Sequence, residues 1–137
     1  MSEGSTPKTT PQIGDRIDDG TIYAGTSPDT GKGMYATPAD APLTHTFNDA
    51  ADYARQLNAQ KFLGHDDWRV PTKDELNVLY KNRNAEVLKG TFNETGLGWY
   101  WSSSPGNLDF SWWGQRFSDG NQDYYNRNYD SSLRCVR

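Results

Sequence analysis

The clearest periodicity in the chain is a stretch of apolar residues at helical spacing near its middle. These residues would share one face of a helix, and they are Phe47, Ala50, Ala51, Ala54 and Leu57. Thr46 precedes them, and threonine is a preferred N-cap residue because its hydroxyl accepts a hydrogen bond from a free backbone N–H. The pattern therefore predicts a helix that begins just after Thr46.

A second amphipathic segment begins at the end of the sequence DDWRVPT. Thr72 and Glu75 have the spacing of a capping box, in which each side chain bonds the backbone N–H of the other residue. Leu76 and Leu79 then continue at helical spacing. This pattern predicts a second helix of about three turns, and we expect Trp68 to be a buried anchor at its entry.

Short aromatic or β-branched runs separated by turn residues lie on both sides of the two helical segments. Before them, DGTIYAG and GKGMYATP flank the turn sequence TSPDTGK, which predicts a β-hairpin. After them come three strand-like runs, GWYWSSS, SWWGQRFSDG and SLRCVR. Strands followed by helices and then by more strands indicate an α+β fold rather than a parallel α/β sheet.

Alternation along the strands predicts which aromatic side chains are buried. Trp99 and Trp101 share one face of their strand, and we expect both in the core. Trp113 and Phe117 share one face of the next strand and are also core candidates. Trp112 then points away from them, towards the surface.

Length and composition limit the possible classes of protein. The 137 residues are 34% hydrophobic, which suits one domain with a genuine core. Residues 1–11 are small and polar and predict a flexible tail, which leaves residues 12–137 as the domain. A net charge of −4 argues against nucleic acid as a partner, because non-specific binding needs clustered Lys and Arg. No apolar run is long enough for membrane insertion, and no ordinary secretory signal is visible.

Metal sites find little support in the residue pattern. The single cysteine, Cys135, excludes an intrachain disulfide, and we expect it to be a small buried side chain next to a buried Val136. His45 and His65 lack the spacing of a zinc site. The aspartate clusters within residues 15–19 and 66–67 lack the spacing of an EF-hand. We expect no metal ion and no cofactor.

Catalytic residues are equally hard to find. Glu75, Glu86 and Glu94 are the candidates for an acid–base pair, and we interpret them as solvated carboxylates. No nucleophile is placed near an activating base in the sequence pattern. The sequence therefore predicts a protein that is not an enzyme.

Residues 121–131, NQDYYNRNYDS, have an unusual composition. Nine of these eleven residues are Asn, Asp, Tyr or Ser. Tyrosine supplies a large contact area at little entropic cost, and Asn, Asp and Ser supply adaptable hydrogen bonds, as in antibody binding loops. The segment therefore predicts a binding surface. The alternative is a solvated loop rich in turn-forming residues, although exposed tyrosines are unusual in such loops.

Four motifs follow one another along the chain, and they are DDWRVPTKDEL, YWSSSP, WWGQRFSDG and LRCVR. Together they resemble the C-type-lectin-like domain at the C-terminus of the Legionella collagen-like adhesin, and the variable proteins of diversity-generating retroelements. The similarity spans about residues 13–137. The resemblance implies a C-type-lectin-like fold with small antiparallel sheets, two α-helices and long connecting loops, in which the last strands and loops form the binding face.

In the retroelement proteins that this chain resembles, sequence change is concentrated at adenine-containing codons such as AAC and AAT. Substitution of adenine there gives Asp, Tyr, Ser, His, Thr or Ile, and unchanged codons give Asn. With the neighbouring Trp112 added, the resemblance implies ligand contacts from one contiguous exposed face formed by Asn107, Asp109, Ser111, Trp112, Asn121, Asp123, Tyr124, Tyr125, Asn126, Asn128, Tyr129 and Asp130.

These observations lead to one preferred function and two alternatives. The resemblance implies a non-enzymatic retroelement variable protein, displayed on a virion, a phage tail or a cell surface, that recognises a protein or glycan on a target cell. The first alternative is a fixed surface adhesin that binds polysaccharide, and the remote alternative is a small hydrolase. The sugar-binding motifs of calcium-dependent lectins, Glu-Pro-Asn, Gln-Pro-Asp and Trp-Asn-Asp, are absent, which argues against calcium-dependent sugar binding.

Overall fold

The computed structural model describes residues 10–137. The predicted flexible tail, residues 1–11, therefore lies outside the described residues except for its last two positions. Two α-helices and two small antiparallel sheets make up the described chain, which confirms the predicted α+β class. Within the described range, no helix has the length and apolar character needed to cross a membrane.

The predicted hairpin is present near the start of the described residues. Strand β1 (Ile22–Thr26) pairs antiparallel with strand β2 (Gly33–Ala36), and the turn sequence lies between them. Side chains of both strands enter the core, and Ile22 and Met34 are fully buried. The hairpin thus forms one wall of the core rather than an exposed ribbon.

Helix α1 (Phe47–Ala59) begins at the predicted residue. The hydroxyl of Thr46 accepts a hydrogen bond from the backbone N–H of Asp49, as expected of an N-cap. The apolar face predicted from the spacing is the buried one, and its buried side chains are Ala50, Ala54 and Leu57.

Helix α2 (Lys73–Lys81) begins directly after Thr72 with both hydrogen bonds of the predicted capping box. The Thr72 hydroxyl accepts from the backbone N–H of Glu75 at 3.2 Å, and the Glu75 carboxylate accepts from the backbone N–H of Thr72 at 3.0 Å. Leu76 and Leu79 are fully buried on the apolar face. Short 3-10 turns, Phe62–Gly64 and Glu86–Leu88, follow α1 and α2 respectively.

The expectation that Glu75 is a solvated carboxylate is wrong, because its side chain is fully buried. The same carboxylate that caps α2 also accepts hydrogen bonds from the guanidinium of Arg69 and from the hydroxyl of Ser27 at 2.5 Å. Burial by itself raises the pKa of Glu75. The hydrogen bonds from Arg69, Ser27 and the Thr72 backbone outweigh burial and lower the pKa to about 2. Glu75 is therefore an ionised structural group that ties α2 to the β1–β2 hairpin.

The second sheet has the strand order β3–β4–β5, and both pairings are antiparallel. Strand β3 (Trp99–Pro105) extends one residue beyond the predicted run GWYWSSS, and strand β4 (Ser111–Arg116) lies inside the predicted run SWWGQRFSDG. Strand β5 (Gln122–Asn126) lies inside the polar segment, where the sequence pattern predicts no strand. Much of the expected binding segment is therefore held in a sheet.

The run SLRCVR is predicted to be a strand, and the structure corrects this. Residues 132–136 are buried, but they form only isolated bridges: Ser132 pairs with Tyr100, and Val136 pairs with both Ala36 and Arg69. Because its backbone partners are distributed over several elements, no continuous ladder forms. The segment instead connects the two sheets, and Val136 and Cys135 are buried, as predicted.

The core consists of two clusters that lie on opposite sides of strand β3. Tyr100 belongs to the cluster with β1, β2 and α2, and its neighbour Trp101 belongs to the cluster with α1. Trp101 and Phe117 are fully buried, which confirms both predictions. Trp99 and Trp113 are only partly buried, so the prediction that they are core residues is wrong.

Candidate ligand-binding face

Strands β4 and β5 present the predicted segment on two opposite faces of the sheet. Antiparallel partners share a face, and Trp112 pairs with Tyr125 while Trp113 pairs with Tyr124. Successive residues of a strand alternate between faces. Asp123 and Tyr125 therefore lie on one face, which we call the pocket face, and Tyr124 lies on the other face.

The pocket face contains a cavity of about 260 Å³. Its lining combines one tryptophan, two tyrosines, two aspartates and one serine, and the residues are Trp99, Asp123, Tyr125, Tyr129, Asp130 and Ser131. We call this cavity the pocket. Four of the predicted contact residues are brought together here, and they are Asp123, Tyr125, Tyr129 and Asp130.

Tyr125 is the fixed wall of the pocket. Its ring stacks on the buried Trp101 at 4.6 Å between centroids, and the rings of Trp99 and Tyr129 lie 5.5 Å and 6.2 Å away. Its hydroxyl shares a hydrogen bond of 2.8 Å with the hydroxyl of Ser131. Burial raises the pKa of Tyr125 to about 12, although the bond to Ser131 opposes this. Tyr125 is thus a neutral and well-packed side chain.

Gly114 makes room for the ring of Tyr125. A Cβ atom at this position would lie 2.3 Å from the Tyr125 hydroxyl oxygen and 2.8 Å from the backbone oxygen of Tyr100. Contacts this short cannot be accommodated without movement of the neighbouring strand. The glycine in WWGQ is therefore required by the close packing of Tyr125 across β4.

We expect Gly114→Ala to lower the free energy of unfolding by about 1–2 kcal/mol, because overpacking forces Tyr125 and the adjacent backbone apart. Denaturant unfolding measures this change, and the NMR signals of Tyr125 report the displaced ring. Gly96→Ala is the matched control, since nothing lies within 4 Å of a Cβ atom there. Equal stability of the two variants would contradict the proposed role of Gly114.

The two carboxylates of the pocket have no cationic partner within residues 10–137. Asp123 accepts a hydrogen bond from the backbone N–H of Tyr124 at 2.8 Å, and neither Asp123 nor Asp130 forms an ion pair there. The guanidinium of Arg116 lies over the Trp99 ring at 5.3 Å, but it is already paired with Asp119. The pocket is therefore lined by aromatic rings and carries the negative charge of two carboxylates.

The other face of the sheet has different chemistry. The Trp113 ring packs edge-on against Tyr124 at 5.0 Å, and the ammonium group of Lys73 lies 3.7 Å from the Trp113 centroid. Trp113 sits here beside the start of α2 rather than inside either core cluster, which explains its partial exposure. Tyr124 is thus separated from the pocket by the thickness of the sheet.

The model of the Lcl C-terminal domain family matches residues 24–137, a range that contains every residue of the pocket. The chain belongs to the Lcl C-terminal domain family. This membership confirms the resemblance to the C-terminal domain of the Legionella collagen-like protein. No curated protein matches the chain.

The remaining predicted contacts of this Lcl C-terminal domain are dispersed. Asn107 and Asp109 are exposed in the loop between β3 and β4, next to the turn that holds Asn126 and Asn128. The backbone N–H of Arg127 donates to the backbone oxygen of Phe110 at 2.9 Å and joins the two segments. These polar residues lie at one end of the sheet.

Three predicted contacts lie away from that end or are not exposed. Asn121 is exposed at the opposite end of the sheet, in the β4–β5 turn. Trp112 is partly buried against Phe47, with ring centroids 4.4 Å apart. Ser111 is buried, and its hydroxyl donates to the backbone oxygen of Leu108, so the prediction that it lies on an exposed face is wrong. The expected single face is therefore split.

Sequence reasoning missed several residues beside the predicted ones. Trp99 lines the pocket because β3 begins there, beyond the edge of the core. Leu108 and Phe110 were also missed, and they are 66% and 64% exposed. Apolar side chains in a polar loop are the signal that could have identified them, because exposed apolar groups that cluster mark interaction surfaces.

The Lcl C-terminal domain offers no evident metal centre within residues 10–137. No group of three or more His, Cys, Asp or Glu side chains is arranged there to hold a metal ion. The pocket itself has only two such side chains, Asp123 and Asp130. Its chemistry is therefore that of hydrogen bonding, charge and aromatic contact.

Proposed function

We propose that this Lcl C-terminal domain is a lectin-like, adhesin-type module that binds its ligand at the pocket face without catalysing a reaction. The observation that carries the proposal is the lining of the pocket, in which five of six residues are Asp, Tyr or Ser and the sixth is Trp99. Aromatic area combined with adaptable hydrogen-bonding groups is the composition of binding surfaces that accept varied ligands.

The pocket residues favour binding over catalysis. No His, Cys or Lys lines the pocket. Ser131 shares its hydrogen bond with Tyr125, whose raised pKa keeps the phenol protonated, so that no phenolate is present to accept a proton. A serine nucleophile would need an adjacent base that accepts its proton. The hydroxyl of Ser131 is therefore better suited to positioning Tyr125 than to chemical attack.

A diversity-generating retroelement is the source of variation that we propose for this face. Asp123, Tyr125, Tyr129, Asp130 and Ser131 all belong to the residue types that adenine substitution produces from Asn codons, and they meet at one cavity. Display on a virion or a cell surface would allow the pocket to contact a protein or glycan on a target cell. Nucleic acid and membrane insertion are not part of this proposal.

The genomic test of this proposal compares the coding segment for residues 107–137 with any near-copy next to a reverse-transcriptase gene. The proposal expects differences at adenines, concentrated in the codons for the pocket and the adjoining loops. Differences spread over all four bases, or a locus without such a copy, would favour the alternative of a fixed polysaccharide adhesin. Membership of the Lcl C-terminal domain family is the observation that supports that alternative.

A display library gives a functional test that does not require the natural ligand. We expect a library randomised at Asp123, Tyr129 and Asp130 to stay folded, because exposed positions away from caps and strain usually change stability by less than about 0.5 kcal/mol each. Selection against lysozyme and serum albumin should then yield binders. The readouts are the selected sequences, their thermal unfolding and their dissociation constants.

The matched control library varies three exposed positions on α1, Asp52, Arg55 and Gln56. Both libraries should stay folded, but binders should come from the pocket library. A pocket library that unfolds, or that yields no more binders than the α1 library, would show that this face is not built for variable recognition.

A further inference from the structure

We propose that the pocket binds a positively charged group, namely a lysine or arginine side chain on a protein ligand. This inference rests on the proposed recognition function and assigns a ligand class to the same site. It follows from three features of the pocket, which are its charge, its aromatic walls and its size.

The negative charge of the pocket requires a hydrogen-bond donor or a cation in the ligand. Asp123 and Asp130 line the pocket, and no basic residue does. Neither carboxylate is neutralised by an ion pair within residues 10–137. A carboxylate is only an acceptor of hydrogen bonds when it is ionised. An acidic polysaccharide would be repelled here, whereas an ammonium or guanidinium group would gain charge-assisted hydrogen bonds.

The aromatic walls favour a cation in a second, independent way. The rings of Trp99 and Tyr129 have centroids 5.5 Å and 6.2 Å from that of Tyr125, and their planes are tilted from its plane by 72° and 22°. The faces of such rings attract cations, most strongly in tryptophan. Since Tyr125 is held by Trp101 and Ser131, the wall needs little reorganisation when a ligand enters.

Two tryptophan rings of the same sheet already make this contact with basic side chains of the protein. The ammonium of Lys73 lies 3.7 Å from the Trp113 centroid, and the guanidinium of Arg116 lies 5.3 Å from the Trp99 centroid. Arg116 is held at the rim by Asp119. Its charge is thus paired, whereas the charges of Asp123 and Asp130 are available to a ligand.

The size of the pocket suits one side chain. A cavity of about 260 Å³ is smaller than the sites that hold drug-sized ligands, which begin near about 300 Å³. An oligosaccharide would extend beyond it, but the end of a lysine or arginine side chain would fit within its walls. The exposed Leu108 and Phe110 nearby could then contact apolar parts of the same protein ligand.

The experiment titrates the whole chain with small probes and follows the indole N–H of Trp99 by NMR, assigned with Trp99→Phe. The cationic probes are N-acetyl-lysine amide and N-acetyl-arginine amide. N-acetyl-norleucine amide is the neutral probe, and N-acetyl-glutamate amide is the anionic one. We expect saturable shifts with the cationic probes alone, with Kd in the millimolar range, and weaker binding as salt is added.

The charge requirement is tested with variants that keep side-chain shape. We expect Asp123→Asn combined with Asp130→Asn to raise the Kd of the cationic probes about tenfold. Asp18→Asn is the matched control, because it removes one exposed negative charge outside the pocket. Circular dichroism should show that all these variants keep the fold of the parent.

The outcomes separate this inference from the proposed function. Equal binding of the neutral probe, or equal losses from Asp18→Asn and the pocket variants, would overturn the cation assignment. A pocket library that yields binders while cationic probes leave Trp99 unchanged would also overturn it, yet would leave the recognition face intact. A pocket library that yields no binders would instead contradict the proposed function.

Discussion

Trp101→Ala is expected to lower the free energy of unfolding by about 3–5 kcal/mol, the largest loss that we predict for a single substitution. The indole is fully buried, and its N–H donates to the backbone oxygen of His45 at 2.7 Å. It also packs against Phe47 and stacks on Tyr125. The substitution therefore removes a large apolar group from one core cluster and one of the two hydrogen bonds that the backbone oxygen of His45 accepts, the other coming from the backbone N–H of Ser131.

Denaturant unfolding of Trp101→Ala measures this loss, and Trp113→Ala is the matched control. Trp113 is only partly buried, and its main contacts are Tyr124 and Lys73. We expect its substitution to cost about 1–2 kcal/mol. Equal losses for the two tryptophans would mean that the division between core and surface is not as described. Trp101→Ala should also release Tyr125 and so alter the pocket.

Glu75→Gln is expected to lower the free energy of unfolding by about 3 kcal/mol at neutral pH, because it removes the fully buried carboxylate of an ion pair whose arginine is partly exposed. The glutamine side chain would keep the shape of the glutamate but not the charge that binds Arg69. The Glu75 carboxylate has a pKa of about 2 in the folded protein against an ordinary value of 4.5. A difference of this size corresponds to about 3 kcal/mol, consistent with the loss expected from the substitution.

The sign of the pH dependence follows from the lowered pKa of Glu75. The folded state holds the ionised form more strongly than the unfolded state does, so the contribution is complete above about pH 4.5. It is lost as the pH falls towards about 2, where both states become protonated. The parent and Glu75→Gln should therefore differ most in stability near neutral pH and converge near pH 2.

Urea unfolding at a series of pH values tests this behaviour, because other carboxylates contribute equally to both proteins. Glu94→Gln is the control, since its ion pair with Arg83 at 3.2 Å is near the surface. Surface pairs are worth about 1 kcal/mol or less. A constant difference between the parent and Glu75→Gln across the whole pH range would show that the charge of Glu75 is not the stabilising feature.

The helices could be predicted from the sequence because their signals are local. Thr46 and Thr72 mark the first turns, and the spacing of Leu76 and Leu79 identifies a buried face without any knowledge of the rest of the chain. The β1–β2 hairpin is local in the same sense, since its turn residues lie between its strands. Such features require no distant partner.

Burial that depends on distant partners could not be predicted. Glu75 is buried because Ser27 and Arg69 approach its carboxylate, and Ser27 is 48 residues away in sequence. Period-2 alternation places Trp99 with Trp101, but it does not reveal that Trp99 lies at the edge of the core. The same limit applies to Trp113, which faces α2 only because the sheet packs beside that helix.

The composition of residues 121–131 marks them as a candidate binding segment, but it does not predict their geometry. Asn, Asp and Tyr are typical of loops, and this hid the pairing of β5 with β4. Once the pairing exists, alternation sends Tyr124 and Tyr125 to opposite faces. Composition therefore predicts which residues can contact a ligand, whereas pairing decides which of them can contact the same ligand.

The anchoring of the chain on both sides of the pocket restricts how related faces can differ. Asn126 pairs with Ser111 and Ser131 pairs with His45, so the segment between them spans a fixed distance. An inserted or deleted residue there would shift the register of one anchored side, and the buried residues that follow Ser131 would lose their places in the core. Related proteins should therefore replace residues in this segment while keeping their number, and their sequences should align from Asn126 to Ser131 without gaps.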